Sequence, residues 1–324
     1  MAWRLKLVPE ETNFDFFRWQ WLTFGLSALL MVASVVITLM MGLNFGIDFR
    51  GGTTIRTEAS QPVDVGEYRQ AIAPLDLGDV AISQVYDPGF GPDRHVTQIR
   101  IQAQDGAEAM SPETIQQVLT VLQAVDPTLS FASVESVGPK VSGELIKTAI
   151  YAVLVSLIAI SIYIWMRFEW QFAVGAFVSL LHDVVVTLGV FSLFQIRFDL
   201  TIIAALLTIL GYSINDTVVV FDRLRENLMK YKTMALREVM NLSVNETLSR
   251  TVMTSGTTLV ALIALLVLGG DVVRGFVFAI TFGIVIGTYS SIYVAKNIVL
   301  WLGVKRDWSK TDAGELPKQF RETP

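Results

Sequence analysis

Residues 211–223 read Gly-Tyr-Ser-Ile-Asn-Asp-Thr-Val-Val-Val-Phe-Asp-Arg, which sets Asp216 inside a run otherwise apolar enough to cross a bilayer. A carboxylate at the centre of a spanning helix costs about 2.5–3.5 kcal/mol on insertion scales, so it persists where it serves a proton or ion path or meets a buried partner. Tyr212 and Ser213 precede it by four and three residues, one helical turn away on nearly the same face. Their hydroxyls can hydrogen-bond either protonation state of the carboxylate. Desolvation and a nearby cation act on its proton in opposite senses, a balance that can leave it titratable near neutral pH. The alternative is a static interhelical hydrogen bond.

Other polar residues stand in apolar runs. His182 and Asp183 sit near the middle of residues 172–194. Adjacent residues point about 100° apart on a helix, so both cannot face one partner directly, and either a proton path or a structural bond to a neighbouring helix fits them. Arg250 opens a run rich in hydroxyls (Thr251, Thr254, Ser255, Thr257, Thr258). Its guanidinium can snorkel to the membrane surface or reach inward to a carboxylate, and position alone favours snorkelling. Residues 45–53, Phe-Gly-Ile-Asp-Phe-Arg-Gly-Gly-Thr, place Asp48, Arg50, Gly51 and Gly52 where a helix must turn into a strand, which predicts a structured junction. Gly275, Gly283 and Gly287 predict close helix packing. Neither a metal-ligand spacing nor a cofactor motif is expected from these residues.

The elements that position them follow from composition. The chain has 324 residues, 52% of them hydrophobic and only 17% charged, against about a quarter charged in soluble domains. Runs 21–43, 148–166, 172–194, 200–221, 251–270 and 276–302 each approach the roughly 20 residues that span a bilayer, so six transmembrane helices are predicted. The first lacks a small-residue cleavage pattern and is expected to remain as an anchor. Arg4, Lys6, Arg18, Arg167, Arg223, Arg225, Lys230, Lys232, Arg237, Lys305, Arg306, Lys310, Lys318 and Arg321 fall on one side, against Arg197 and Arg274 in the short loops opposite. Both termini are therefore expected to be cytoplasmic. The loop 223–250 has apolar residues at helical spacing (Leu224, Leu228, Tyr231, Met234, Ala235), which fits short amphipathic helices on the membrane surface or a solvated connector. The net charge of −5 and the lack of a basic cluster argue against nucleic acid, and the absence of cysteine means the external part folds without disulfides.

That external part is a domain within residues 44–147. Strands are expected at Thr53–Glu58, Val80–Tyr86, Val96–Ala103 and Leu129–Ser136, and helices at Val63–Ala73 and, capped by Ser111 with Pro112 in its first turn, up to Ala124. Asp87-Pro88-Gly89 marks a turn. The order β-α-β-β-α-β is the ferredoxin-like α+β pattern, one sheet with both helices on one face. The predicted organisation is a cytoplasmic segment 1–20, a first helix 21–43, this domain, five helices over 148–302, and a cytoplasmic tail 303–324.

Together, the junction 45–53, Ser136-Val137-Gly138-Pro139, Leu181-His182-Asp183-Val184, the run 211–223, and Ser249-Arg250-Thr251 with Thr254-Ser255 resemble the SecF branch of the bacterial SecD-SecF protein-export family, part of the resistance-nodulation-division superfamily. The resemblance covers nearly the whole chain. It implies a non-enzymatic, cofactor-free subunit of the bacterial inner membrane with its small domain in the periplasm. It also implies a SecD-like partner, association with the SecYEG translocon and an accessory subunit of the YajC type, and action on exported polypeptides. In this family the carboxylate at the place of Asp216 is required for proton passage and the arginine at the place of Arg250 lies in the same pathway, with His182 and Asp183 secondary. Three other readings stand beside it: a small-molecule or lipid exporter half of the same superfamily, a passive assembly subunit, and an intramembrane aspartyl protease using Asp183 and Asp216. The last is disfavoured because Ser213-Ile214-Asn215 stands where those proteases carry Gly-x-Gly, and no Tyr precedes Asp183.

Overall fold

The computed structural model describes residues 9, 12–86, 94–103 and 110–304. The expected turn at Asp87-Pro88-Gly89 and the charges Arg4, Lys6, Lys305, Arg306, Lys310, Lys318 and Arg321 lie outside the described residues. Helix α1 (Gln20–Met41) leads through a short strand β1 (Asn44–Phe45) and one turn of helix α2 (Ile47–Arg50) into the small domain. That domain comprises β2 (Gly52–Ala59), α3 (Val65–Ile72), β3 (Val80–Val85), β4 (His95–Gln102), α4 (Pro112–Val125) and β5 (Ser130–Val137). Then come α5 (Pro139–Arg167), α6 (Trp170–Leu193), β6 (Arg197–Phe198), α7 (Leu200–Lys230), α8 (Leu236–Leu268), α9 (Asp271–Ser290), a π turn (Ser291–Ala295) and α10 (Lys296–Leu302).

The four strands form one antiparallel sheet in the order β3-β4-β2-β5, the ferredoxin-like arrangement. Alternation puts Ile55, Ile99 and Ile101 on one face, where Tyr68 and Ile72 of α3 and Val118 and Leu122 of α4 close a single core. Helix α4 starts where its cap requires: the Ser111 hydroxyl accepts from the Thr114 amide at 3.2 Å, and Pro112 occupies the first turn. The Tyr68 hydroxyl is buried in this core without a hydrogen-bond partner among the described residues, and burial, followed by the nearby Asp126 charge, pushes its pKa up to about 12.

Among the described residues six helices, counting α9 to α10 as one rod, are long and apolar enough to span a membrane. Helix α6 is the most buried of them, while α1, α5 and α8 turn rows of Leu, Val and Ile outward, as lipid-facing helices do. Two expectations are corrected. Residues 223–250 form no separate surface helices: α7 continues to Lys230 and α8 begins at Leu236, leaving only 231–235 as connector. The helical periodicity is real, but the two extensions pair with each other. Asn227 donates to Ser243 at 3.0 Å and to Glu246 at 2.6 Å, and Arg223 donates to Glu246 at 2.7 Å. Likewise α5 begins at Pro139, so residues 139–147 belong to a membrane helix and not to the small domain.

The junction explains its glycines. Gly51 and Gly52 have φ of +76° and +137°, and a Cβ on Gly52 would collide with the Ile101 carbonyl. Asp48 reaches across to accept from the Leu200 amide at 3.0 Å, and Asp199 accepts from Thr201 and Ile202, so two carboxylates cap the start of α7. Strand β1 pairs in parallel with β6, and Phe45, Phe49, Phe191 and Phe198 pack into one aromatic cluster beneath it. Arg50 ends α2 and is exposed.

The fragment 52–137 is expected to fold alone, with cooperative melting and mixed α/β circular dichroism. Removing the orphaned hydroxyl with Tyr68→Phe should stabilise it by about 1 kcal/mol, whereas Leu122→Ala should cost about 2–5 kcal/mol. Chemical denaturation measures both; a Tyr68→Phe fragment less stable than wild type contradicts the assignment of an unpartnered hydroxyl.

Candidate functional site

The polar interior lies where α6, α7, α8 and α9 meet. Glycines let the backbones approach: a Cβ on Gly283 would collide with Ile209, and one on Gly287 would lie 3.0 Å from Ser213 Cβ and 3.5 Å from Asp183 Oδ2. Gly275, by contrast, has only ordinary contacts near its Cβ position. The two carboxylates are thus held by helices packed at glycine faces, and they sit in different surroundings.

Asp183 is fully buried and heavily bonded. Its Oδ2 accepts from Ser213 of α7 at 2.7 Å and from Ser290 of α9 at 2.9 Å, and its Oδ1 pairs with His182 Nδ1 at 3.1 Å. Ser179 donates to Ser290 at 2.9 Å and extends the cluster by one hydroxyl. Three helices are tied together at this one side chain. His182 is also completely buried; its other ring nitrogen, Nε2, has no partner among the described residues, and its ring lies 6.4 Å from that of Tyr289.

Asp216, 3% exposed, has one hydrogen bond among the described residues, a long one of 3.4 Å from Ser255 of α8. Ser255 in turn shares a 2.8 Å bond with Thr288 of α9. Arg250 lies on the same helix, exposed, and its charge acts on Asp216 through space without a hydrogen bond among the described residues. A carboxylate so lightly held can change partners or protonation with little structural cost, whereas one held as Asp183 is cannot.

The expected grouping around Asp216 is therefore redrawn. Ser213 turns to Asp183, and the Tyr212 hydroxyl donates to Thr258 at 3.3 Å. The reason is angular: an offset of three residues leaves about 60° between side chains, and one of four about 40° in the other sense, enough to direct them into different helix interfaces. His182 and Asp183, expected to diverge, bond to each other through the flexibility of their own side chains. For a protease, the two carboxylates would have to share a site, yet each is engaged with its own hydroxyls. Thr288, Ser290 and Lys296 were not singled out from the sequence. The readable signal was the run Thr288-Tyr289-Ser290-Ser291 followed by a lysine, all inside an apolar stretch. No group of three or more metal-ligating side chains occurs among the described residues.

The contrast between the carboxylates predicts different costs of removal. Asp183→Ala leaves Ser213, Ser290 and His182 without their acceptor, and at about 1–3 kcal/mol for each orphaned buried group it should lower thermal stability strongly. Asp216→Ala should lower it much less. Melting of the purified protein in mild detergent compares them; equal losses would contradict the distinction.

Comparison with known proteins agrees with the architecture. Residues 117–305 match the family model for the C-terminal part of protein export membrane protein SecD/SecF, and residues 36–63, which include Gly51 and Gly52, match the SecD/SecF GG motif. The protein translocase subunit SecF of Cereibacter sphaeroides is 67% identical over 97% of this chain and 97% of its own length. That of Rhodobacter capsulatus is 64% identical over 97% and 96%. The crystal structure of SecDF, a translocon-associated membrane protein from Thermus thermophilus, superimposes with a TM-score of 0.79 at 36% identity, covering 91% of this chain but 39% of that one. SecDF in its super-membrane-facing form gives 0.64 at 38% identity, covering 92% and 40%. This chain thus spans about two fifths of the solved SecDF chains and nearly the full length of the SecF relatives. It belongs to the SecD/SecF family of protein export membrane proteins, among whose members it is similar to the SecF subunits.

Proposed function

We propose that this chain is a proton-driven subunit of the export machinery, acting in late steps of protein passage across the bacterial inner membrane. The observation that carries the reading is Asp216: a carboxylate at the centre of a spanning helix, nearly excluded from solvent, held among the described residues by one long hydrogen bond, with the charge of Arg250 acting on it through space. Such a group is unstable as a purely structural element and suited to taking up and releasing a proton. The chain Asp216–Ser255–Thr288 supplies hydroxyls beside it that can pass or accommodate that proton.

The partner in this reading is a SecD-like subunit, since the solved SecDF chains carry more than twice the length of this one. Arg250 and Thr257 are exposed on α8, and a guanidinium facing bare lipid is costly, so a polar partner surface there would relieve it. SecYEG and a YajC-type accessory subunit complete the assembly. In this reading both termini are cytoplasmic and the sheet domain periplasmic, supported by the excess of lysines and arginines in the connectors on one side.

The small domain is attached lightly enough to move. Besides its two chain connections, its hydrogen bonds to the helix ends among the described residues are a pair between Tyr86 and Asp271, at 2.7 and 2.9 Å, and one from Arg197 to Gln98 at 3.3 Å. An open cleft of about 920 Å³, lined by Thr54, Arg56, Gln98 and Glu135 of the sheet, separates it from the helices. One proton crossing 100 mV releases about 2.3 kcal/mol, enough to break or remake a few such bonds but not to unfold a domain. Repeated small displacements are the mode of action that this energy allows.

Asp216→Asn keeps size and most hydrogen bonding but cannot exchange a proton. Normal insertion and partner binding are expected, with loss of gradient-stimulated export in reconstituted vesicles; wild-type stimulation would remove Asp216 as the carrier. For Arg250, a snorkelling role tolerates Lys, while a role for its planar fork does not. Impaired export is expected for Arg250→Lys and a stronger loss for Arg250→Met, with topology unchanged. Full activity of Arg250→Met at normal expression would return this residue to snorkelling.

A further inference from the structure

Residues Thr288 to Lys296 connect both carboxylates to the amino-terminal part of the chain. Thr288 bonds to Ser255, the donor to Asp216, and Ser290 donates to Asp183. Tyr289, between them, faces α1: its hydroxyl donates to the Thr23 carbonyl at 2.8 Å and accepts from Ser27 at 3.1 Å. The helix then widens into the π turn Ser291–Ala295. Such turns cluster at functional sites, and gaining or losing the extra residue rotates the flanking side chains by about 100°.

Lys296, the first residue beyond the π turn, is 1% exposed in a helix otherwise suited to lipid. Its Nζ donates to the Phe16 carbonyl at 3.1 Å and lies 3.9 Å from the Phe17 ring centre, with the rings of Phe16 and Tyr293 each at 5.3 Å. Asp15 and Arg237 are the charged groups that act on it. Three aromatic faces and a carbonyl make a cage for an ammonium. The cage is built largely from a strap, residues 12–19, that precedes α1. The strap is pinned to α8 by side chains: Asn245 accepts from the Phe14 amide at 2.8 Å, Asn241 accepts from the Phe16 amide at 2.9 Å, and both donate to the Phe14 carbonyl at 2.9 Å. Helix α8 is also the helix that carries Ser255.

We propose that Lys296 locks this strap over the ends of α8 and α10, and that the π turn transmits rearrangement of Thr288 and Ser290 at the carboxylates to the lock. The coupling rests on the reading that Asp216 changes its protonation; the lock does not. Binding a buried amine through rings and a carbonyl, with no carboxylate in contact among the described residues, gives a clasp strong enough to close and weak enough to open, which is what a two-state element requires.

Hydrogen exchange of the full-length protein in lipid nanodiscs, read at the amides of residues 14–17, tests both parts. Lys296→Met keeps length and removes the charge, and should speed exchange there about tenfold. Phe17→Leu keeps apolar volume, removes the ring face closest to Nζ, and should speed it less; it carries the test of the lock if Lys296→Met does not fold. Unchanged exchange in these variants overturns the lock. Asp216→Asn, with Lys296 intact, should shift exchange at the same amides. No shift overturns the coupling while leaving proton-driven export to be judged by its own assay.

Discussion

A carboxylate between membrane helices has no water to fall back on, so the helices around it must arrive with hydrogen-bond donors already in place. Asp183 meets that demand with Ser213, Ser290 and His182, and much of the membrane domain can be understood from it. Gly287 lets α9 lie against both Ser213 and Asp183, and Gly283 continues the close contact one turn away. At its other end α7 is fixed by Asp48 and Asp199, so the junction that launches the small domain also sets the position of the helix bearing both Ser213 and Asp216.

The two carboxylates thus sit in different surroundings. Asp183 is the fixed point, and a fully bonded buried network of this kind specifies one arrangement of helices. Asp216 has a single long bond among the described residues, and the charge of Arg250 acts on it through space. The donors are concentrated on Asp183, whereas Asp216 meets only the buried Ser255 of α8 among the described residues.

Much of this was legible in the sequence, for reasons that differ by part. The sheet domain was readable strand by strand because alternation and the Ser111-Pro112 cap are local signals. The six spans followed from apolar length, although their ends did not: polar residues such as Asn227 and Glu246 end an apolar run but not a helix when they pair with each other. Asp216 and Asp183 stood out by cost alone. Which hydroxyl serves which carboxylate was not legible, since Ser213 and Tyr212 are directed by neighbouring helices that lie far away in sequence. Lys296 escaped notice because a lysine near the end of an apolar run ordinarily snorkels, and only the folded strap of residues 12–19 buries it.

The central claim is that Asp216 changes protonation while Asp183 holds the helices. Infrared difference spectroscopy of the membrane-embedded protein between acidic and alkaline buffer reads carboxyl groups directly. The account predicts a protonated-carboxyl band in the wild type that disappears in Asp216→Asn and survives in Asp183→Asn wherever that variant folds. A band that persists in Asp216→Asn, or one that vanishes only with Asp183→Asn, would contradict it.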